Sequence, residues 1–234
     1  MSDVVIEFEL SRNPTVGIRA PKKRKAPRRE RTLTVAQLRE FLELNKVHCN
    51  QHFAIALTLA VFGLRWEEGS ALHDEHIDEA AGELHVVQVQ VRKKVFPTKN
   101  ENHKVLPLDA EVLAAIRAHQ NLMRMRGNPA TKQGMLFPSV TGTYRLPSSV
   151  SKGWKVVSRA MNLGWTVTPH DLRRTYQNLL RQASVSMVVQ QALMGHSSDA
   201  MTQHYSSVNM QEKRHAQAQV VELLKFREAK DGAK

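Results

Sequence analysis

Apolar residues along this chain recur mostly at three- and four-residue intervals, the signature of helices, and alternate with polar ones over only one short stretch. Leu38, Phe41 and Leu42 share a face of a helix that opens at Thr34, with Gln37 three places on completing a capping box. Phe53 to Phe62 is apolar on most sides and stops at Gly63, which predicts a core helix ending where a functional loop begins. Val87, Val89 and Val91 alternate with Gln88, Gln90 and Arg92, a period of two that predicts a half-exposed strand. Asn100-Glu101-Asn102 supplies a turn, and Lys104 to Leu108 returns as the partner strand. With a short strand before Ala80-Ala81-Gly82, a small sheet of about three strands is expected. Asp109 caps a helix that buries Val112, Leu113, Ile116 and Met123 and is closed by Gly127-Asn128-Pro129. Further helices are expected over 147–161, 170–182, 186–194, 198–205 and 211–229. The expected fold is α+β, mostly helical with a small three-stranded antiparallel sheet.

Composition narrows the class. The 234 residues are 41% hydrophobic and 24% charged, an ordinary globular balance. Cys49, the single cysteine, excludes an intramolecular disulfide or a Cys-rich zinc site, and fits a reducing compartment. The longest near-continuous apolar run, Phe53 to Leu64, is too short to span a bilayer, and the first residues do not form a signal peptide. A cytoplasmic protein with no membrane partner is expected.

Charge points to the partner. Thirty-four Lys and Arg against 22 Asp and Glu leave +12, which favours a polyanion, and nucleic acid over membrane because no basic amphipathic anchor is present. The excess is concentrated between Arg19 and Arg31, where Lys22, Lys23, Arg24, Lys25, Arg28 and Arg29 lie among Pro21 and Pro27 with one acid, Glu30. Such a segment reads as an extended arm that can lie along phosphates; a solvated tether is the plainer alternative. Residues 1–33 are therefore expected to be an arm or linker and 34–234 the compact body.

Candidate chemistry comes from arginine, lysine, histidine and tyrosine. No metal-ligand spacing stands out among the eleven histidines, and no phosphate-binding glycine loop appears, so no metal or cofactor is expected. Arg65 follows Phe62-Gly63-Leu64 at a helix end, His170 and Arg173 lie one helical turn apart, and Gly195-His196 opens a segment ending at His204-Tyr205. Attack on a phosphodiester spreads negative charge over its non-bridging oxygens, which fixed cations must meet where no metal does. Guanidinium suits this because its planar fork donates two parallel hydrogen bonds and stays charged. A phenol ionises more readily than an aliphatic alcohol, and a phosphotyrosine would conserve the bond energy for resealing.

In order and spacing, three blocks resemble the tyrosine recombinases, or phage integrase family: Phe62-Gly63-Leu64-Arg65-Trp66-Glu67-Glu68, Pro169-His170-Asp171-Leu172-Arg173-Arg174-Thr175, and Leu193-Met194-Gly195-His196 with Tyr205 nine residues on. Thr98-Lys99 through Pro107-Leu108 is similar to the family's lysine-bearing hairpin, and Met135 to Ser139 to its next short block. The resemblance runs from about Thr32 to Ala229 and implies the catalytic-domain fold of the DNA breaking-rejoining enzymes. It implies that Tyr205 attacks double-stranded DNA to give a 3′-phosphotyrosine, that Arg65 and Arg173 hold the scissile phosphate, and that Lys99 protonates the leaving 5′-oxygen. Lys104 and Lys94 are rivals for Lys99 because hairpin register is not set by local sequence. By the same resemblance His170 assists proton transfer, His196 bonds a non-bridging oxygen, Glu68 orients an active-site cation, and Arg174 contacts DNA backbone or serves structure.

The family also implies a bacterial or phage-encoded site-specific recombinase working as a homotetramer through a Holliday junction, with a C-terminal helix over 208–229 packing on a neighbour or on its own body. Its members usually carry a preceding helical clamp domain, and Ser11 to Val16 resembles the end of one, so the chain is expected to be a catalytic-domain piece or a short member using its arm. Ser184 stands where the family commonly has glycine after the His-Arg helix. Two other readings use the same residues. A type IB topoisomerase-like or telomere-resolving enzyme would relax supercoiled DNA lacking a specific site, and a non-catalytic DNA-binding regulator would bind duplex without a covalent adduct.

Overall fold

In the computed structural model, residues 31–98, 103–195 and 208–224 are described. Eight helices appear among them: α1 Val35–His48, α2 Asn50–Phe62, α3 Trp66–Gly69, α4 Ala110–Met125, α5 Ser148–Ala160, α6 Pro169–Gln182, α7 Met187–Met194 and α8 Met210–Leu224. The strands are β1 Ile77–Asp78, β2 Glu83–Val86, β3 Gln88–Val91, β4 Lys94–Pro97 and β5 Lys104–Pro107.

The expected local signals operate. Thr34 and Gln37 exchange hydrogen bonds in a capping box at the start of α1. The Asp109 carboxylate accepts from the backbone N–H groups of Glu111 and Val112 at the start of α4. Thr168 and Asp171 form a capping box on α6, with Pro169 in the first turn where its missing N–H costs nothing.

Helix α2 is the hub, with α1, α4 and α6 packed around it. Its face carries Ile55, Leu59 and Phe62 into a core that also holds Phe41 of α1 and Trp154 of α5, which meet edge to face at 5.4 Å. A polar bolt crosses this core: Tyr176 Oη on α6 donates to Gln217 Oε1 on α8 at 2.8 Å, and Gln217 Nε2 donates to the Val61 carbonyl at 2.6 Å. Burying these groups is tolerable because each finds a partner.

The antiparallel three-stranded sheet has the order β1-β2-β5, but its pairing differs from expectation. Lys104–Pro107 pairs with Glu83–Val86, with Val86 opposite Lys104, and not with the alternating valine stretch. That stretch, β3, instead pairs with β4 in a separate hairpin turned by Arg92 and Lys93. Both turn residues have positive φ, 50° and 67°, a conformation usually given to Asn-Gly. The turn was therefore invisible by composition. The hairpin base is tied to α3 and its exit, where Ser70 Oγ donates to Gln90 Oε1 and Gln88 Nε2 to the Ala71 carbonyl. The expected helix over 198–205, the arm 1–30 and the tail beyond Leu224 lie outside the described residues. Among the described residues no helix is long and apolar enough to cross a membrane.

Two stability predictions follow from this packing. Ser184 takes the left-handed conformation, φ 55°, that closes α6, with its N–H on the Arg181 carbonyl. Ser184→Gly should therefore raise stability by about 1 kcal/mol, read as a Tm increase of a few degrees. His119 is 4% exposed with no hydrogen-bond partner for either ring nitrogen, and burial pulls its pKa down to about 3. His52 accepts from Arg145 Nη1, and burial plus that charge lowers its pKa to about 4. Both rings stay neutral in the fold, yet take protons in the unfolded chain below about pH 6.5, so their contribution is complete above that pH and is lost as pH falls. Melting followed by circular dichroism should show Tm falling by several degrees from pH 7 to 4.5, and His119→Phe should flatten that fall.

Candidate active site

Two helix ends and one strand build the site. Gly63, at φ 57°, stops α2; a Cβ there would lie 2.2 Å from Tyr176 Cδ1, so the close approach of α6 requires glycine. Buried Leu64 then anchors the chain, and Arg65 is extended at the start of the single-turn α3. This leaves the Arg65 side chain 47% exposed while Glu68, one turn on, points inward and is 5% exposed.

Glu68 gathers three cations. Its Oε1 accepts from Arg65 Nη1 at 2.9 Å, and its Oε2 accepts from Lys104 Nζ at 2.7 Å and from the Arg65 backbone N–H at 2.8 Å. Arg173 Nη1 lies 3.9 Å from the same Oε2. Burial pushes the Glu68 carboxyl up, but the Lys104 charge and hydrogen bond, the Arg65 N–H and the Arg173 charge together hold it below its ordinary value. Burial pulls Lys104 down to about 8 against the opposite pull of Glu68, so it remains largely protonated at neutral pH.

Arg173 is fixed by carbonyls at two helix ends. Nη1 donates to the Gly63 carbonyl after α2, and Nη2 to the Met194 carbonyl at the end of α7 at 2.8 Å. The negative ends of both helix dipoles thus face one guanidinium. Two of its five N–H donors are used there, so three remain by count. Three cations on one carboxylate leave the cluster at +2, and Arg65 opens it to solvent: this is a site for an anion with several oxygens.

The predicted residues divide three ways. Arg65, Glu68 and Arg173 converge, and Lys104 joins them. His170 sits exposed in the first turn of α6 and Arg174 half-buried on the same helix, and no hydrogen bond joins either to the cluster among the described residues. Lys94 is exposed on the β3–β4 hairpin, and among the described residues no hydrogen bond joins it to the cluster. Lys99, His196, Tyr205 and the arm lysines and arginines Lys22, Lys23, Arg24, Lys25, Arg28 and Arg29 lie outside the described residues. Asp171, within the His-Asp-Leu-Arg block, is a cap: it accepts from Thr168 N at 2.9 Å and Thr168 Oγ1 at 2.6 Å. The grip of the Gly63 and Met194 carbonyls on Arg173 was missed by sequence reasoning, although one belongs to and the other precedes a glycine that signals a helix end.

The phage integrase family model matches residues 31–212. The chain belongs to that family. The tyrosine recombinase XerC of Alcanivorax borkumensis is 30% identical over 203 residues, which are 85% of this chain and 62% of that protein. The XerC of Actinobacillus succinogenes is 26% identical over 207 residues, 88% of this chain and 65% of the relative. The chain thus spans less than two thirds of the length of these relatives. The Tn1549 transposon integrase, solved in complex with a circular intermediate DNA, superposes with a TM-score of 0.63 at 21% identity, covering 93% of this chain and 74% of that one. The XerA recombinase superposes at 0.57 with 20% identity, covering 93% and 73%. At these identities the two structures show the shared fold.

An excess of +2 beside a solvent-facing arginine predicts anion binding. Inorganic phosphate at about five times its Kd should raise stability by about 1 kcal/mol, measured as a Tm shift, and Arg65→Ala should abolish most of that shift.

Proposed function

We propose that the chain is the catalytic body of a site-specific DNA recombinase, which cleaves and rejoins duplex DNA through a 3′-phosphotyrosine without metal or ATP. The observation that carries this reading is the meeting of Arg65 and Arg173, far apart in sequence, on one buried carboxylate with positive charge left over. A scissile phosphate supplies the missing negative charge, and the charge that develops in its transition state strengthens the same contacts.

In this reading Tyr205 Oη bonds to phosphorus as the P–O5′ bond breaks, and the departing 5′-oxygen takes a proton from Lys99. His170 helps remove the phenolic proton, and His196 donates to a non-bridging oxygen. Residues 34–234 form the catalytic domain. Residues 1–33 form a basic arm in which Lys22, Lys23, Arg24, Lys25, Arg28 and Arg29 meet phosphates, and Arg174 adds a backbone contact. The working assembly is a homotetramer on paired sites that exchanges strands through a Holliday junction, while α8 stays on its own body, where Gln217 bonds Tyr176 and the Val61 carbonyl. Its location is cytoplasmic and nucleoid-associated. Membership of the phage integrase family and the XerC relatives support the choice of a recombinase over a topoisomerase-like enzyme or a silent DNA-binding regulator.

A pool of nicked suicide duplexes with a randomised core tests this in metal-free buffer. An SDS-resistant protein–DNA adduct should form, sequencing of the trapped DNA should converge on one motif, and Tyr205→Phe should abolish the adduct. Duplex binding without any adduct would leave the regulator reading, and adducts at unrelated sequences with relaxation of plasmid would leave the topoisomerase reading.

A further inference from the structure

We propose that Lys104 is a positioning residue for strand cleavage: its ammonium occupies one oxygen of Glu68 so that the other oxygen aims the Arg65 guanidinium at the scissile phosphate. This rests on the recombinase reading above and assigns Lys104 a task different from that of the leaving-group acid.

Lys104 is held from every side. Its Nζ is 2.7 Å from Glu68 Oε2, and the side chain is 10% exposed. Its aliphatic stem lies against the backbone at Gly195, where a Cβ would come within 2.4 Å of Cδ and 3.1 Å of Cε. The strand beneath cannot slide, because β5 pairs Lys104 with Val86, and Lys213 of α8 donates to the Val105 carbonyl at 3.1 Å. The ammonium is therefore spent on an internal carboxylate.

A proton donor to the 5′-oxygen has to reach DNA outside the protein, whereas this ammonium faces inward. What it does instead follows from counting partners on Glu68. Arg173 is held 3.9 Å from Oε2 by its bonds to the Gly63 and Met194 carbonyls, beyond hydrogen-bond reach, so in that position it does not replace the 2.7 Å bond of Lys104. If Lys104 were absent, the carboxylate would be left with Arg65 alone at hydrogen-bond distance, through its backbone N–H on Oε2 and its side chain on Oε1. The Arg65 guanidinium would then be drawn inward to satisfy both oxygens, away from the solvent side where phosphate enters. A buried carboxylate that loses a partner makes such a demand strongly.

The test uses the motif recovered from covalent trapping, synthesised with oxygen or sulfur at the bridging 5′ position. A thiolate leaves without a proton, its conjugate acid having a pKa of about 8.5, so sulfur relieves loss of a general acid and not loss of positioning. Lys104→Met should slow adduct formation at saturating protein by about tenfold or more on both substrates, with duplex Kd and its salt slope unchanged. Lys104→Arg, which keeps a cation on Glu68, should recover most of that loss. Lys104→Met combined with Glu68→Gln should be no slower than the worse single variant, since both act through one contact. Should Lys104→Met fail to fold by circular dichroism, Lys104→Gln and Glu68→Gln carry the same comparison.

Rescue of Lys104→Met by sulfur would make Lys104 the proton donor and overturn the proposal. So would a weaker Kd with a shallower salt slope, the mark of a phosphate contact, or a Lys104→Arg variant as slow as Lys104→Met. Absence of an adduct with the wild-type chain on either substrate would instead remove the recombinase reading, and this assignment with it. Loss confined to the Lys104 variants leaves that reading standing.

Discussion

One carboxylate holds the site together. Glu68 is almost fully buried, and a buried carboxylate is costly unless its partners repay the lost hydration. Here the repayment is shared by Arg65, Lys104 and, at longer range, Arg173. The more consequential effect runs the other way: three like charges are kept close together by the one opposite charge between them. With Glu68 removed they would repel and separate; with Glu68 present they retain an excess that an incoming anion can discharge.

The placement of those cations depends on where helices stop. Gly63 and Gly195 both take left-handed conformations, at φ 57° and 62°, and each stands at the end of a helix whose last carbonyls need donors. Arg173 supplies them, linking the ends of α2 and α7 to the buried face of α6. The same glycines permit two close approaches that a Cβ would forbid, of Tyr176 to Gly63 and of Lys104 to Gly195. Helix termination, core packing and charge placement are thus one arrangement. This explains why a bland-looking Phe-Gly-Leu-Arg string can define one corner of a cationic site.

Capping signals were legible because they are local. Thr34 with Gln37, Asp109 and the stop at Gly63 each need only neighbours within four residues, and each works as its pattern indicates. Ser184 was legible as a departure, and it occupies the strained conformation that a glycine would take without cost. Strand partnering was not legible. The alternating valines mark a strand but carry no information about its mate, and the Arg92-Lys93 turn lacks the Asn-Gly signal that would have revealed the β3–β4 hairpin. Which of Lys94 and Lys104 meets Glu68 depended on that same register, and Lys99 lies outside the described residues. Lys104 reaches Glu68 because β5 pairs with β2, a contact between segments separated by the whole β3–β4 hairpin.

The amino-acid order by itself determined the helical framework, the strongly basic character and the blocks that mark the family, because each is written in short-range periodicity, net charge or spacing along the chain. Only the tertiary structure decided which lysine shares a carboxylate with Arg65, and that Arg173 is clamped between two helix ends. Both depend on distances between residues remote in sequence, set by packing around α2 and by strand register, and neither quantity is encoded in any local pattern.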